Sequence, residues 1–344
     1  MANLAATYRP KTFDDVTEQS VIVNMLKNIC NQDTINHRNF LFIGPAGTGK
    51  TTTGRIVANM VNGGKGEPIE IDAASHNGVE SMRELVKQMR SYPVGFKYKV
   101  FIIDECHSLS SQSWQILLKP IEEQPAKTII ILCTTNPEKI PATILSRVQT
   151  FQLSKISLDG IISRLKYIVE EENKLGRNIT YTDDAISYIA KLANGGMRDS
   201  ITLLEKSLSF SEDITIENLT KSLDLPNYDD YFVLLNGIAK KDNQVIVSLI
   251  NEVYNSGVNF VKWFEGFHSF ISNIIKYIFI QDINATMIPS HYADKVSNYG
   301  TAHAILCLKL ANVLVKMNHE LKSTQYLQEL AITYLCQMPQ QKRG

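Results

Sequence analysis

The sequence has no surplus of either charge: 35 Lys and Arg balance 35 Asp and Glu in 344 residues. A bulk basic field is therefore absent, so any contact with nucleic-acid phosphate must come from a local arrangement of charge. Glycine (18) and proline (11) are sparse and 44% of the chain is hydrophobic, which excludes collagen-like, low-complexity and disordered classes. Five cysteines, at 30, 106, 133, 307 and 336, are an odd number, widely spread, with no Cys-x-x-Cys pair. That spacing disfavours a disulfide framework and a zinc cluster and fits a reducing compartment. Long apolar runs are missing too: the most apolar stretch, 270–280, is interrupted by Asn273 and Lys276, far short of the roughly 20 residues of a membrane span. The first ten residues lack the basic-then-apolar order of a secretion signal. A soluble, cytoplasmic protein without a membrane partner is expected.

At roughly 150 residues per domain the length implies two to three domains. Between residues 39 and 153, short apolar runs at 39–43, 68–71, 99–103, 128–133 and 150–153 alternate with amphipathic patterns. Strands buried on both faces and joined by helices make a parallel sheet, so the fold class is α/β. After Ser154 the strand runs stop. Helical spacing follows over 158–175, 183–192, 198–210 and 216–223, as in a small helical domain. Leu225, Pro226 and Asn227 mark a hinge, beyond which 229–239, 244–254, 260–279, 302–319 and 324–336 are read as an all-α C-terminal domain. The expected boundaries are 1–154, 155–225 and 226–344, with a frayed polar tail after Met338. Stripes such as Phe232 with Leu235, Ile246 with Ile250 and Val253, and Phe267 with Phe270 and Ile274 are expected in core or subunit interface.

The octamer Gly44, Pro45, Ala46, Gly47, Thr48, Gly49, Lys50, Thr51 follows a predicted strand and precedes a predicted helix at 52–61. This G-x-x-x-x-G-K-T spacing lets backbone N–H groups curl around phosphates, with Lys50 on the β/γ oxygens and the Thr51 hydroxyl on Mg²⁺. Lys50 is expected on a solvent-facing loop. Some fifty residues on, the apolar strand through Ile103 ends in Asp104 and Glu105. Asp104 is placed to hold Mg²⁺ and Glu105 to polarise an attacking water, so hydrolysis of a nucleoside triphosphate is expected beyond binding.

Together with Tyr8, Arg9 and Pro10, the run Glu70 to Ser75, Asp104 to His107, Leu117 to Lys119 with Glu122 and Glu123, and Pro141 to Arg147, these motifs resemble the clamp-loader ATPase subunits of bacterial DNA polymerase III, the gamma/tau family. Order and spacing match across about the first 210 residues; the last third resembles the family's helical collar only in length and character. The resemblance implies an AAA+ P-loop domain, a helical lid and a collar. It implies ATP and Mg²⁺ as cofactors, and a ring of five subunits that opens a sliding clamp and loads it at primer–template junctions.

By position, the resemblance places Tyr8, Arg9 and Val16 in the adenine pocket and Thr52 beside the phosphate loop. It makes Thr135 sensor 1, with Asn136 as a rival strand-end amide, and Arg198 sensor 2, the alternative being a surface arginine paired with Asp199. Arg147 resembles the family's arginine finger, whose guanidinium enters the neighbouring subunit's ATP site. Val148 stands where the family has cysteine, a change beside the finger. The largest departure lies at 62–68, where the family carries a four-cysteine zinc module and this chain has no cysteine; zinc is not expected there. Such trimming suits a viral or otherwise minimal loader.

Ser75 to Gly78 and Ser108 to Gln112 precede predicted helices and are either phosphate-tracking donors or ordinary N-caps. Lys87 and Arg90 could add positive charge inside a ring. Three further readings stay open. A branch-migration motor is disfavoured by a helical tail in place of a winged helix. A helicase loader has the same nucleotide motifs. A non-catalytic scaffold subunit is disfavoured by intact Lys50, Thr51, Asp104 and Glu105.

Overall fold

The computed structural model describes residues 3–223, 225 and 227–338. Pro226 of the expected hinge and the tail after Met338 lie outside the described residues. The chain divides into two compact units, Met1–Ile179 with Ile189–Lys206, and Thr180–Tyr188 with Ser207–Gly344.

The first unit is built on a five-stranded sheet: β1 (Asn39–Ile43), β2 (Ile69–Asp72), β3 (Lys99–Asp104), β4 (Thr128–Thr134) and β5 (Gln149–Gln152). Their order is β2-β3-β4-β1-β5 and every pair is parallel. Successive side chains of a strand point to opposite faces, and the apolar runs use both. Phe40, Phe42, Ile102, Ile129 and Ile131 pack on one side with α2 (Ser20–Cys30) and α3 (Lys50–Val61). Leu41, Phe101, Ile103, Ile130 and Leu132 pack on the other with α4 (Val79–Met89), α5 (Ser111–Glu123) and α6 (Ala142–Leu145). The short helix α1 (Leu4–Thr7) precedes them, and α7 (Leu158–Lys174) follows β5.

Several boundaries differ from the sequence reading for local reasons. Helix α3 starts at Lys50, two residues before the expected 52, because Gly49 at φ +101° takes the capping position that a residue with a Cβ rarely adopts. Pro68 stays out of β2 since it has no N–H to give to the ladder, and β2 runs on to Asp72. The expectation of no strands after Ser154 is corrected. β6 (Thr180–Tyr181) and β7 (Asp213–Ile214) pair in parallel, Thr180 opposite Asp213. Two residues each are too short to leave a periodic signal. At the zinc gap, Gly63, Gly64 and Gly66 all have positive φ and turn the chain between α3 and β2.

Helices α8 (Asp183–Leu192) and α9 (Met197–Phe210) span the division between units. The second unit continues with α10 (Ile216–Ser222), α11 (Tyr228–Lys240), α12 (Asn243–Asn255), α13 (Phe260–Ile280), α14 (Ala293–Ser297), α15 (Ala304–Leu321) and α16 (Leu327–Cys336). The expected start of α16 at 324 moves to Leu327. The stripes from Phe232 to Ile274 named above all lie in one core. Aromatic rings dominate it: Phe232 meets Phe270 edge-on at 4.9 Å, and Tyr231 meets Trp263 at 4.8 Å while its hydroxyl donates to the Trp263 carbonyl at 2.8 Å. Among the described residues no single helix is long and apolar enough to cross a membrane.

Phe270 is 1% exposed and Phe279, on the same helix, is 66% exposed. Phe270→Ala should destabilise the second unit by about 3–5 kcal/mol, whereas Phe279→Ala should stay within about 0.5 kcal/mol. Denaturant titration followed by Trp263 fluorescence, in a Trp114→Phe background that silences the chain's other tryptophan, measures both.

Candidate nucleotide site

The parallel order brings the C-terminal ends of β1, β3 and β4 to one edge of the sheet, where open α/β sheets bind ligands. The loop 44–49 leaves β1 there and runs into the N-terminus of α3, whose first backbone N–H groups have no helical partner. Gly47, at φ +72°, lies so close to Gly196 that a Cβ on it would approach the Gly196 Cα to 3.0 Å, and its carbonyl accepts from the Met197 N–H at 3.0 Å. The loop is thus held from one side by α3 and from the other by the start of α9.

Lys50 does not face solvent as the sequence reading expected. It is 6% exposed, and its ammonium donates to the carbonyls of Gly44 and Pro45, both at 2.9 Å. A buried cation needs oxygen partners, and the loop's own carbonyls supply them. Thr48 closes the loop by donating to the Pro45 carbonyl at 2.9 Å.

The Thr51 hydroxyl donates to Asp104 Oδ2 at 2.5 Å, which joins the first turn of α3 to the end of β3. Asp104 Oδ1 accepts from the Glu105 N–H at 3.0 Å. Glu105 takes the left-handed backbone at φ +46°, so the chain turns sharply after β3. Its Oε2 accepts from the Thr135 hydroxyl at 3.1 Å, and His107 Nδ1 is 3.3 Å from the same oxygen. The rival residue Asn136 uses its backbone N–H on the Thr134 hydroxyl, at 3.0 Å.

A cleft of about 300 Å³ opens over the loop. Tyr8, Arg9, Val16, Ala46, Gly47, Thr48, Gly49, Lys50, Thr51, Thr52, Asp104, Glu105 and Arg198 line it. Gly44 and Pro45 are not on its wall; their carbonyls turn to Lys50 instead. Thr135 reaches the cleft only through Glu105. Arg147 is outside it, on the exposed turn after α6, where it pairs with Glu122 at 2.9 Å and donates to the Thr143 carbonyl at 2.7 Å and the Ser146 hydroxyl at 2.9 Å. Arg198 is exposed and forms no ion pair with Asp199 among the described residues.

Around the cleft's far end, Tyr8 donates to Glu172 of α7 at 2.7 Å, and Arg164 of the same helix donates to the Tyr8 carbonyl at 2.9 Å. Burial and the Glu172 carboxylate push the Tyr8 phenol well above its ordinary range. Burial and the Arg55 guanidinium hold Arg9 below its own. Arg164, Ile156 and Ile201 line the cleft as well and were missed in the sequence. Isolated residues on amphipathic helices carry no local signal of what they face. His107 was within reach, since it closes the Asp104 to His107 run.

The hydroxyl and carboxylate of Thr51 and Asp104 are hard oxygen donors beside the loop, and the pair suits Mg²⁺. Of the groups considered for nucleic acid, Ser110 is an N-cap that accepts from the Ser113 N–H at 3.1 Å, and the Ser75 hydroxyl is taken by Asp72 at 2.9 Å. Arg90 pairs with Glu123 at 3.5 Å. Lys87 is exposed on α4.

Fold and cleft define a P-loop ATPase fold of the AAA+ type. Among solved structures, the Thermotoga maritima RuvB Holliday junction branch migration motor is similar in fold, with a TM-score of 0.51 at 19% identity over 67% of this chain and 79% of that one. Sequence comparison is more specific. A family model for the DNA polymerase III delta subunit matches residues 67–157, and one for the DNA polymerase III clamp loader subunit ATPase lid domain matches 160–213. DNA polymerase III subunit gamma of Buchnera aphidicola subsp. Baizongia pistaciae is 35% identical over 86% of this chain and 86% of its own length. Subunit gamma/tau of Mycoplasma genitalium is 32% identical over 90% of this chain, and subunit tau of Bacillus subtilis 36% over 69%. The chain belongs to the DNA polymerase III gamma/tau family. It spans 58% and 48% of the length of the last two relatives.

Lys50→Ala should remove the ammonium that would otherwise turn from the loop carbonyls to phosphate. Nucleotide affinity is expected to fall by at least about a hundredfold, with an unchanged far-UV spectrum. A titration with a fluorescent ATP analogue reads the affinity.

Proposed function

We propose that this protein is an ATP-hydrolysing subunit of a sliding-clamp loader, working in a ring of five AAA+ subunits on primer–template DNA in the cytoplasm. The observation that carries the hydrolytic part is the bond from Thr51 to Asp104, with Glu105 and Thr135 joined beside it. It unites at one strand edge the residues that the reaction needs. Family membership supports the clamp-loading part, since the relatives at 31–36% identity are gamma and tau subunits. The RuvB likeness is one of fold, and does not favour a branch-migration motor. A scaffold subunit without turnover has less support, because nothing in the cleft is missing. The proposed domains are 1–154, 155–225 and 226–344; the match to a clamp-loader lid model at 160–213 supports the reading of the second as a lid.

In this reading Tyr8, Arg9 and Val16 take the adenine, the backbone of 44–49 takes the phosphates, and Lys50 takes the β/γ oxygens. Thr51 and Asp104 would hold Mg²⁺, which would supply neutralising charge to the phosphates. Glu105 accepts a proton as the water oxygen bonds to the γ-phosphorus and the β–γ bridging bond breaks, leaving ADP and phosphate. Thr135 keeps Glu105 in place, and Arg198 reaches the γ-phosphate from the start of α9. Arg147, exposed and outside its own cleft, serves the neighbouring subunit's site.

ATP turnover by the assembled complex should rise when primed DNA and a sliding clamp are both added, and remain at its basal level with either alone. Equal turnover in all conditions would remove the clamp-loading assignment. Arg147→Ala should bind ATP normally yet lower turnover in the ring by about 10³-fold or more. Mixed rings of Arg147→Ala and Glu105→Gln subunits should regain activity, because the intact Glu105 of one meets the intact Arg147 of the other. Co-assembled mixtures as inactive as either parent would place Arg147 in a merely structural role.

A further inference from the structure

We propose that His107 is a positioning residue for Glu105, holding one carboxylate oxygen so that the other is presented to the attacking water. This rests on the hydrolytic reading above. His107 lies in the single 3-10 turn Cys106–Ser108 that follows β3, with its side chain 15% exposed. Its Nδ1 is 3.3 Å from Glu105 Oε2 and 3.1 Å from the Thr134 hydroxyl. A lone pair on Nδ1 would face the carboxylate and repel it, so the carboxylate favours the tautomer with hydrogen on Nδ1. Glu105 Oε2 then accepts from the Thr135 hydroxyl at 3.1 Å, while the imidazole N–H, hydrogen-bonded to the Thr134 hydroxyl, lies against the same oxygen as a favourable dipole.

Glu105 Oε1 has no hydrogen bond among the described residues and is free to accept from water. The Thr135 hydroxyl and the adjacent imidazole both lie on the Oε2 side, and together they bias the rotation of the carboxylate. Glu105 stands on a left-handed backbone at the sharp turn after β3, a conformation uncommon for a residue with a side chain. His107 touches neither nucleotide nor water in this arrangement; it acts through Glu105.

The test uses the full chain in its assembled complex, with ATP turnover and nucleotide affinity measured on each variant. His107→Phe keeps the ring and loses the donor. It should lower kcat by about tenfold or more while nucleotide affinity stays within about twofold of the parent. His107→Asn places an amide N–H where Nδ1 stands and should recover most of the lost turnover. A role in packing alone predicts the reverse order, with Phe active and Asn impaired. If His107→Phe loses less than about threefold, or if Asn is no more active than Phe, His107 does not position Glu105. Should the Phe variant fail to fold, His107→Gln, whose amide reaches to the Nε2 place, takes its arm with the same expectation. Glu105→Gln measured alongside separates the two readings: full turnover in that variant would overturn the role of Glu105 itself, and with it the hydrolytic assignment.

Discussion

The bond between Thr51 and Asp104 is the constraint on which the site depends. It joins the first turn of the helix after β1 to the last residue of β3, two elements separated in the sheet by β4. For the bond to close, β1 and β3 must end at the same height, and the parallel register delivers this: Ile43 lies opposite Thr134, and Ile103 opposite Leu132. A slip of one residue would exchange the side chains fitted to the two cores and carry the strand's terminal side chain to the wrong face. The cores on both sides of the sheet oppose that slip, so packing far from the cleft sets its geometry.

Much of this was legible in the sequence, and the physical reasons differ from residue to residue. The strand β1 was read to its boundaries because Asn39 to Ile43 is an apolar run buried on both faces, punctuated by glycine. Lys50, Thr51, Asp104 and Glu105 were placed at the site from local chemistry alone, since the phosphate loop and a strand-end acid pair each carry their own signal. The conformation of Lys50 was not legible. A motif states what a residue does with a ligand, and says nothing of which protein atoms meet a buried ammonium. Arg164 and Glu172 were invisible for another reason: helix α7 has an ordinary amphipathic pattern, and only the folded chain brings Tyr8 against it. The β6–β7 pair escaped because a two-residue strand has no period.

The two cationic side chains closest to phosphate chemistry are occupied in opposite ways. Lys50 is buried and saturated by carbonyls of its own loop, so anion binding there exchanges one set of acceptors for a stronger, charged one. Arg147 is exposed and held by a surface carboxylate and a carbonyl. An exposed ion pair is worth little in water, so Glu122 orients the guanidinium without tying it down. The first side chain is committed to its own loop; the second is held only by contacts that solvent weakens.

In the proposed reading this difference makes hydrolysis conditional on assembly. The side chains that line the cleft, from Tyr8 to Glu105, come from a single compact unit, whereas the Arg147 guanidinium stands outside the cleft on a solvent-facing turn after α6. On that proposal a chain would bind ATP with its own residues, and turnover would wait on a second copy's Arg147. The aromatic core of the second unit has no part in the chemistry. Its burial of Phe264, Phe267 and Phe270 gives α13 and α15 a close-packed common core, and a core at that density resists deformation.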